Sequence, residues 1–246
     1  MKKILILFVC ILTAFVSSGQ QDAQFSQNMF NKLANNPGFA GSRGLIATSV
    51  LHRSQWMGFG EEGTPISTQN FSVDAELPFL FGGVGLNITK DKIAQFNNLG
   101  IQGSYAYRTE LGLGQIGMGM SVGVFQSGLD GTGLNAAETG DRAIPMGLVN
   151  GSKLDLGAGI YYNTQDVYVG ISSSHLSEPT VEWSDGQTYN LKRHYFLISG
   201  YYHQVNPVLS LNPSILSLIH ISEPTRRTPI PYAVFCLRKI MFQFLK

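Results

Sequence analysis

Apolar and small residues alternate along one stretch of the chain, Gln115-Ile116-Gly117-Met118-Gly119-Met120-Ser121-Val122-Gly123-Val124-Phe125. Successive side chains of a β-strand point to opposite faces of a sheet, so this stretch predicts a strand with one apolar face. Its other face carries glycine and serine, which are poor solvent-facing strand residues because they add flexibility without packing. Inside a barrel lumen they leave room for bulky side chains or a plug, and the apolar face then meets lipid.

The same pattern recurs in segments separated by turn residues. The candidate strands are residues 44–53, 71–77, 84–88, 99–108, 115–125, 153–162, 166–174, 193–203 and 205–215. Several reach the roughly 9–11 residues that a tilted membrane strand needs. We therefore expect an all-β chain forming an antiparallel transmembrane β-barrel of the bacterial outer membrane. About nine strands are too few for an even-numbered closed barrel, so we expect it to be incomplete. A soluble β-sandwich also alternates, and it stays open as the alternative.

Composition supports a surface that is not wholly in water. Charged residues make up 13% of the chain, against about 25% in a typical soluble domain. A net charge of +1 gives no electrostatic case for a nucleic-acid partner. Polar stretches at residues 128–151 and 177–191 read as long loops, which such barrels place outside the cell, and residues 78–81 read as a short periplasmic turn.

Residues 1–19 predict a cleaved signal peptide. Lys2 and Lys3 precede an apolar run over residues 4–16, and Ser17 to Gly19 supply small residues for cleavage. The run is shorter than the roughly 20 residues that a membrane-spanning helix needs, and no later run is long enough either. Cys10 would leave with the signal, so we expect no disulfide in the exported chain.

The residues that could carry chemistry do not form a recognisable site. The five histidines, His52, His175, His194, His203 and His220, show no metal-ligand spacing with a carboxylate. Ser172 to Ser174 followed by His175 could suggest a hydrolase, but sequence neighbours on a strand face opposite ways. We expect no enzyme activity, no cofactor and no metal.

The polar lead-in at residues 20–43 carries the first family motif. It reads Gln21-Asp22-Ala23-Gln24-Phe25-Ser26-Gln27-Asn28-Met29-Phe30-Asn31 and then Asn36-Pro37-Gly38-Phe39-Ala40-Gly41-Ser42. In order and spacing it resembles the opening of PorP/SprF-family proteins, typically Q-D-P-Q-F-S-Q-Y-M-F-N followed by N-P-A-Y-A-G-S. Ala23 replaces the usual proline, and Lys32 to Ala34 are unremarkable.

Four later motifs follow in the same order as in that family, so the resemblance covers about residues 21–216. They are Arg53-Ser54-Gln55-Trp56, Asn87 with Lys90-Asp91-Lys92-Ile93, Tyr105-Ala106-Tyr107-Arg108, and Leu211-Asn212-Pro213-Ser214-Ile215-Leu216. The residues that belong to the family motifs or are candidate partner contacts are Phe25, Phe30, Pro37, Arg53, Gln55, Trp56, Asp91, Lys92, Tyr105, Tyr107 and Arg108. For partner binding, Phe25, Phe30 and the loop at residues 128–151 are the first candidates.

The resemblance implies an outer-membrane component of the type IX secretion system. Such proteins assist export or surface attachment of large cargo, including gliding adhesins. The implied partners are outer-membrane lipid, other secretion components and the C-terminal domains of cargo. A general porin or diffusion channel is the alternative, which an open, conducting lumen would favour.

The last part of the chain breaks the pattern. Residues 44–216 are the expected barrel, and residues 216–226 match a translated transposase-type sequencing adaptor. Basic residues and prolines then cluster at residues 224–239, where another strand would be expected. We predict that residues 217–246 are a non-native tail on a truncated barrel.

Overall fold

Alternating side chains build one large antiparallel sheet. The computed structural model describes residues 23, 25, 27–55, 66–133, 145, 147–205, 210–220, 236–241 and 244–245. Ten strands pair in the order β1-β2-β3-β4-β5-β6-β7-β10-β13-β14. They are β1 (Ala47–Gln55), β2 (Ile66–Leu77), β3 (Gly82–Ile93), β4 (Phe96–Leu111), β5 (Gly114–Asp130), β6 (Leu148–Asn163), β7 (Val167–Ser174), β10 (His194–Tyr201), β13 (Ser214–His220) and β14 (Cys236–Met241).

Two smaller sheets accompany the large one. A hairpin pairs β8 (Thr180–Glu182) with β9 (Thr188–Asn190), and short pairings join β11 (His203–Gln204), β12 (Ser210–Leu211) and β15 (Phe244–Leu245). Every pairing is antiparallel. The large sheet curls into a half-barrel, which confirms the prediction of an incomplete antiparallel β-barrel. Among the described residues, no helix has the length and apolar character needed to cross a membrane.

The polarity of the two faces of the half-barrel is the reverse of that in a soluble protein. The convex face exposes apolar side chains, and Met120 at the middle of β5 is 70% exposed. The concave face buries polar side chains such as Asn70, Asp74 and Asp155. Alternation within each strand therefore separates an apolar outside from a polar inside, as the sequence pattern predicted.

An N-terminal segment, which we call the insert (residues 27–43), lies in the concave face. It consists of a 3₁₀ turn (Asn28–Phe30), one turn of α-helix (Lys32–Asn35) and a second 3₁₀ turn (Pro37–Phe39). Leu33, Phe39 and Ala40 of the insert are buried together with aromatic residues of β6, β7 and β10. The insert thus packs against the apolar side chains that β6, β7, β10 and β13 add to an otherwise polar concave face.

Glycines of the strands make room for the insert. A Cβ added to Gly119 of β5 would lie 2.4 Å from the backbone nitrogen of Gly38, and one added to Gly38 would lie 2.8 Å from the Gly117 carbonyl oxygen. A Cβ on Gly159 of β6 would lie 2.3 Å from Oδ1 of Asn36. The small-residue face is therefore needed because the backbones approach too closely for any side chain.

Several element boundaries differ from the sequence-based expectations. Strands β2 to β6 extend past the predicted limits, so the connection after β5 is shorter than residues 128–151. The predicted loop at 177–191 contains the β8–β9 hairpin. The predicted strand at 205–215 is not continuous in its described part: β12 covers Ser210–Leu211 and β13 starts at Ser214, because Pro213 lacks the backbone N–H that a continuous strand would donate.

Some predictions fall outside the described residues. Residues 1–19 of the predicted signal peptide, Trp56 and most of the long connection at 134–144 lie there. β13 crosses the predicted boundary at Leu216, and β14 lies within residues 217–246. The non-native origin of that tail stays a prediction, since backbone pairing does not report where a sequence came from.

We expect Gly119→Ala to lower the free energy of unfolding by about 1–3 kcal/mol, because the added methyl group overpacks the contact with Gly38. Thermal unfolding in detergent, followed by circular dichroism, measures the loss. Gly100→Ala on β4 is the matched control, since nothing lies within 4 Å of a Cβ added there. Equal stability of the two variants would contradict the proposed close approach.

Candidate functional site

The concave face and the insert together form the candidate site. Asn31 of the insert is hydrogen-bonded to Asn70 of β2, and its Oδ1 accepts a bond from Ser72 Oγ at 2.9 Å. Asn70 Nδ2 donates onward to Asn87 Oδ1 at 2.8 Å and to Thr89 Oγ1 at 2.7 Å. A buried amide network of this kind fixes the position of the insert, because each displaced partner would leave a polar group unsatisfied.

Asn36 anchors the middle of the insert. Its side chain is fully buried, its Oδ1 accepts from the Gly38 N–H at 2.8 Å, and its Nδ2 donates to the carbonyl oxygens of Ile160 at 3.0 Å and Ile171 at 3.4 Å. The two carbonyls belong to neighbouring strands, β6 and β7. One amide therefore shapes the turn of the insert and ties that turn to the sheet.

Charged groups fasten the end of the insert that leads into β1. Asp74 of β2 lies 3.8 Å from the Arg43 guanidinium group and accepts from the Gly41 N–H at 3.3 Å. Arg108 of β4 donates to the Gly38 carbonyl at 3.4 Å and to Asn163 Oδ1 at 2.9 Å. The insert is thus held by charges of both signs on β2 and β4, two strands separated by β3.

Lys32 lies in an aromatic box. Its Nζ is 3.3 Å from the Tyr168 ring centroid and 5.8 Å from those of Phe39 and Tyr202, with Tyr161 at 6.0 Å. These distances are within the range of cation–π attraction. Burial and, to a lesser degree, the nearby Arg43 charge lower the pKa of Lys32 to about 7.

A second cluster of polar groups lies at the end of the half-barrel that carries the long connections. His175 Nδ1 is 3.0 Å from Asp155 Oδ1, and Asp155 Oδ2 accepts from Gln102 Nε2 at 2.8 Å. The His175 ring meets the His194 ring edge-on at 5.5 Å. A cavity of about 90 Å³ beside them is lined in part by Phe25. The cluster joins β4, β6 and the start of β10.

The β8–β9 hairpin packs onto the sheet beside this cluster. Val181, Trp183 and Leu191 of the hairpin region form an apolar group with Leu129 of β5 and Val149 of β6. Trp183 stacks on Tyr189 at 6.3 Å. The end of the half-barrel is therefore covered by apolar side chains of a hairpin that lies within the predicted loop at residues 177–191.

The predicted contact residues do not form one surface. Pro37 is buried in the insert, and Asp91 and Arg108 are buried on the concave side. Phe25 lines the cavity of about 90 Å³ beside His175. Other members are exposed or half-buried elsewhere: Phe30 on the insert, Arg53 and Gln55 on β1, Lys92 on β3, and Tyr105 and Tyr107 on the convex side of β4. Trp56 lies beyond the described part of the chain. Their role as partner contacts stays a prediction.

Sequence reasoning missed the residues that hold the site together. Lys32 and Leu33 had no recognisable feature, yet both are buried in the insert. The Asp155–His175 pair joins residues on different elements, and Ser172 is bonded to the Asn35 carbonyl. The repeated asparagines at 31, 35 and 36 were the available indication, because a run of amides beside small-residue strands needs hydrogen-bond partners. Within the described ranges, no cluster of three or more histidine, cysteine or acidic residues could hold a metal ion.

We expect Asn36→Asp to lower the free energy of unfolding by about 1–3 kcal/mol, because a carboxylate cannot donate to the Ile160 and Ile171 carbonyls. The midpoint of denaturant unfolding in detergent measures the change. Asn150→Asp, an equally charged change at an exposed position on β6, is the control. Similar losses in both variants would show that added charge, and not the anchor, is responsible.

One comparison with known proteins agrees with this architecture. The profile of the type IX secretion system membrane protein PorP/SprF family matches residues 17–242. A search of curated protein sequences finds no match. The family match spans the insert, the concave face and the hairpin, which confirms the resemblance seen in the short motifs. The chain belongs to the PorP/SprF family of type IX secretion system membrane proteins.

Proposed function

We propose that this chain is exported by its signal sequence to the outer membrane, where it assists the type IX secretion system in exporting or surface-attaching large cargo such as gliding adhesins. Family membership implies other type IX secretion components as partners. The single observation that carries the placement in lipid is the reversed polarity of the sheet. An exposed convex face of methionine, valine, leucine and isoleucine suits hydrocarbon and not water.

The insert favours a secretion role over a diffusion porin. A porin conducts through a water-filled lumen lined with polar side chains. Here the insert occupies the concave face, and its contacts with Gly119 and Gly159 leave no space for even one added methyl group. A barrel interior that is occupied by a bound segment suits recognition of a partner better than passive conduction of solutes. This role is that of a binding component and includes no catalytic step.

Phe30 is the predicted contact residue best placed to meet a protein partner. It lies on the insert, at the end of the half-barrel with the short turns, and it is 45% exposed. In barrels of this class the short turns face the periplasm. We propose that Phe30 contacts a periplasmic part of the secretion machinery, while the far end, near the β8–β9 hairpin, faces cargo outside.

We expect Met120→Lys to lower the free energy of unfolding in lipid vesicles by about 2–4 kcal/mol, since a lysine on the lipid face near the midplane must leave water. Ser184→Lys, in the exposed turn of the hairpin, adds the same charge outside the sheet and is expected to change little. Folding yield and denaturant stability in vesicles measure both. Equal behaviour of the two variants would mean that the convex face does not meet lipid.

The secretion role is tested in the bacterium that carries the gene. We expect deletion to remove large cargo from the cell surface and the full chain to restore it. Phe30→Ala is expected to lower surface cargo several-fold at an unchanged amount of the chain in the membrane. Phe79→Ala, an exposed phenylalanine at the same end but outside the insert, is the control. Normal surface cargo in the deletion strain would overturn the proposal.

A further inference from the structure

A cavity of about 270 Å³ lies between the insert and the sheet at the end with the short turns. Lys32, Phe39 and Tyr168 form its buried floor, and the half-exposed Phe30 and Tyr202 lie at its rim. Its volume is slightly below the roughly 300–1,000 Å³ of pockets that hold drug-sized ligands. The cavity therefore has room for one small group, reached from the solvent side of the insert.

The electrostatics of this cavity are unbalanced. Lys32 is only 7% exposed, and its Nζ donates to the Tyr202 hydroxyl oxygen at 3.4 Å. Arg43 also lines the cavity, with its guanidinium carbon 5.2 Å from the Phe39 ring centroid. Asp74 lies beside Arg43, but no carboxylate within the described ranges is paired with Lys32. Two cations thus face this cavity, and Asp74 behind Arg43 is paired with one of them.

A buried ammonium group without a counter-charge is unfavourable, because desolvation is not repaid by attraction to a negative group. The lowered pKa of Lys32 reflects this burial and the repulsion from Arg43. An anion in the cavity would remove both penalties. Arg43 and the tyrosine hydroxyl groups can donate hydrogen bonds to its oxygens.

We propose that this cavity binds one small oxyanionic group, a carboxylate or a phosphate, between Lys32 and Arg43. The site goes beyond the proposed secretion role, since it is defined by the charge and shape of the cavity alone. Lys32 and Arg43 both belong to the insert, so an anion held between them joins the insert to β6 and β7 only through the hydroxyl groups of Tyr161 and Tyr168.

The direct test is thermal unfolding of the full chain in detergent at pH 6.5. Inorganic phosphate or acetate replaces chloride at constant ionic strength, so general screening does not change. Since the anion binds the folded state, we expect a saturable rise in the unfolding temperature. Lys32→Met is expected to abolish the rise and Lys32→Arg to keep it. Lys153→Met, an exposed lysine on β6, is the control and should respond like the unmodified chain.

The pH dependence identifies the group responsible. Acetate affinity should fall about tenfold per pH unit above the Lys32 pKa of about 7, because only the charged ammonium attracts the anion. An ordinary surface lysine, with a pKa near 10.4, would hold the anion up to about pH 10. The other groups facing Lys32 are Arg43, Tyr161, Tyr168 and Tyr202, with Asp74 behind Arg43. Arginine and tyrosine keep their protons between pH 6 and 9 at ordinary pKa values.

Each outcome decides the proposal. A response to phosphate alone identifies a phosphate site, a response to acetate alone identifies a carboxylate site, and a response to both supports a general oxyanion site. No saturable response, or one that survives Lys32→Met, overturns the site. If Lys32→Met fails to fold, the acetate titration of the unmodified chain between pH 6 and 9 still decides, because a pH-independent affinity excludes Lys32.

Discussion

The half-barrel depends on contact between backbones. Gly38 of the insert lies against Gly117 and Gly119 of β5 and Gly159 of β6, at distances that leave no space for a Cβ atom. Such proximity brings backbone polar groups and the Asn36 amide within hydrogen-bonding reach. Polar side chains cover much of the concave face, so the insert is held by hydrogen bonds as well as by its contacts with Tyr161, Tyr168 and Phe196. The glycine pattern of the strands is the sequence requirement for that approach.

The reversed polarity of the sheet follows from the same arrangement. Because many apolar side chains lie on the convex face, the concave face depends largely on polar groups that form hydrogen bonds with one another. Each of these groups needs a partner at a suitable distance and angle. The amide network around Asn31 and Asn70 and the Asp155–His175–Gln102 cluster meet those demands at two places along the lumen. At the end with the short turns, Lys32 and its aromatic box bring charge and aromatic surface together. Polar satisfaction therefore specifies where the insert lies, while the convex face needs only to be apolar.

Much of the architecture was predictable because alternation is a local property. The stretch at 115–125 shows its two faces directly, and the count of about nine strands before residue 216 matches β1–β7, β10 and β13. Boundaries were less predictable. The ends of β4 and β5 contain polar residues that pair well in a sheet but interrupt the pattern, and the β8–β9 hairpin is too short to alternate visibly. The predicted strand at 205–215 is divided between β12 and β13, because Pro213 cannot donate a backbone N–H to the sheet.

The site was far less predictable, since its contacts join residues distant in sequence. Nothing near Lys32 in the chain indicates that Tyr161 and Tyr168 will surround it, because that depends on how far the sheet curls and where the insert crosses it. The motif residues Pro37 and Arg108 proved to belong to the insert and its attachment, whereas Tyr105 and Tyr107 lie on the outer surface. The short motifs therefore have two structural roles. Pro37 and Arg108 help to hold the insert against the sheet, and Tyr105 and Tyr107 belong to the exposed convex face. Burial lowers the pKa of Lys32 to about 7, so a negative group beside it would favour the charged form that the aromatic rings also attract.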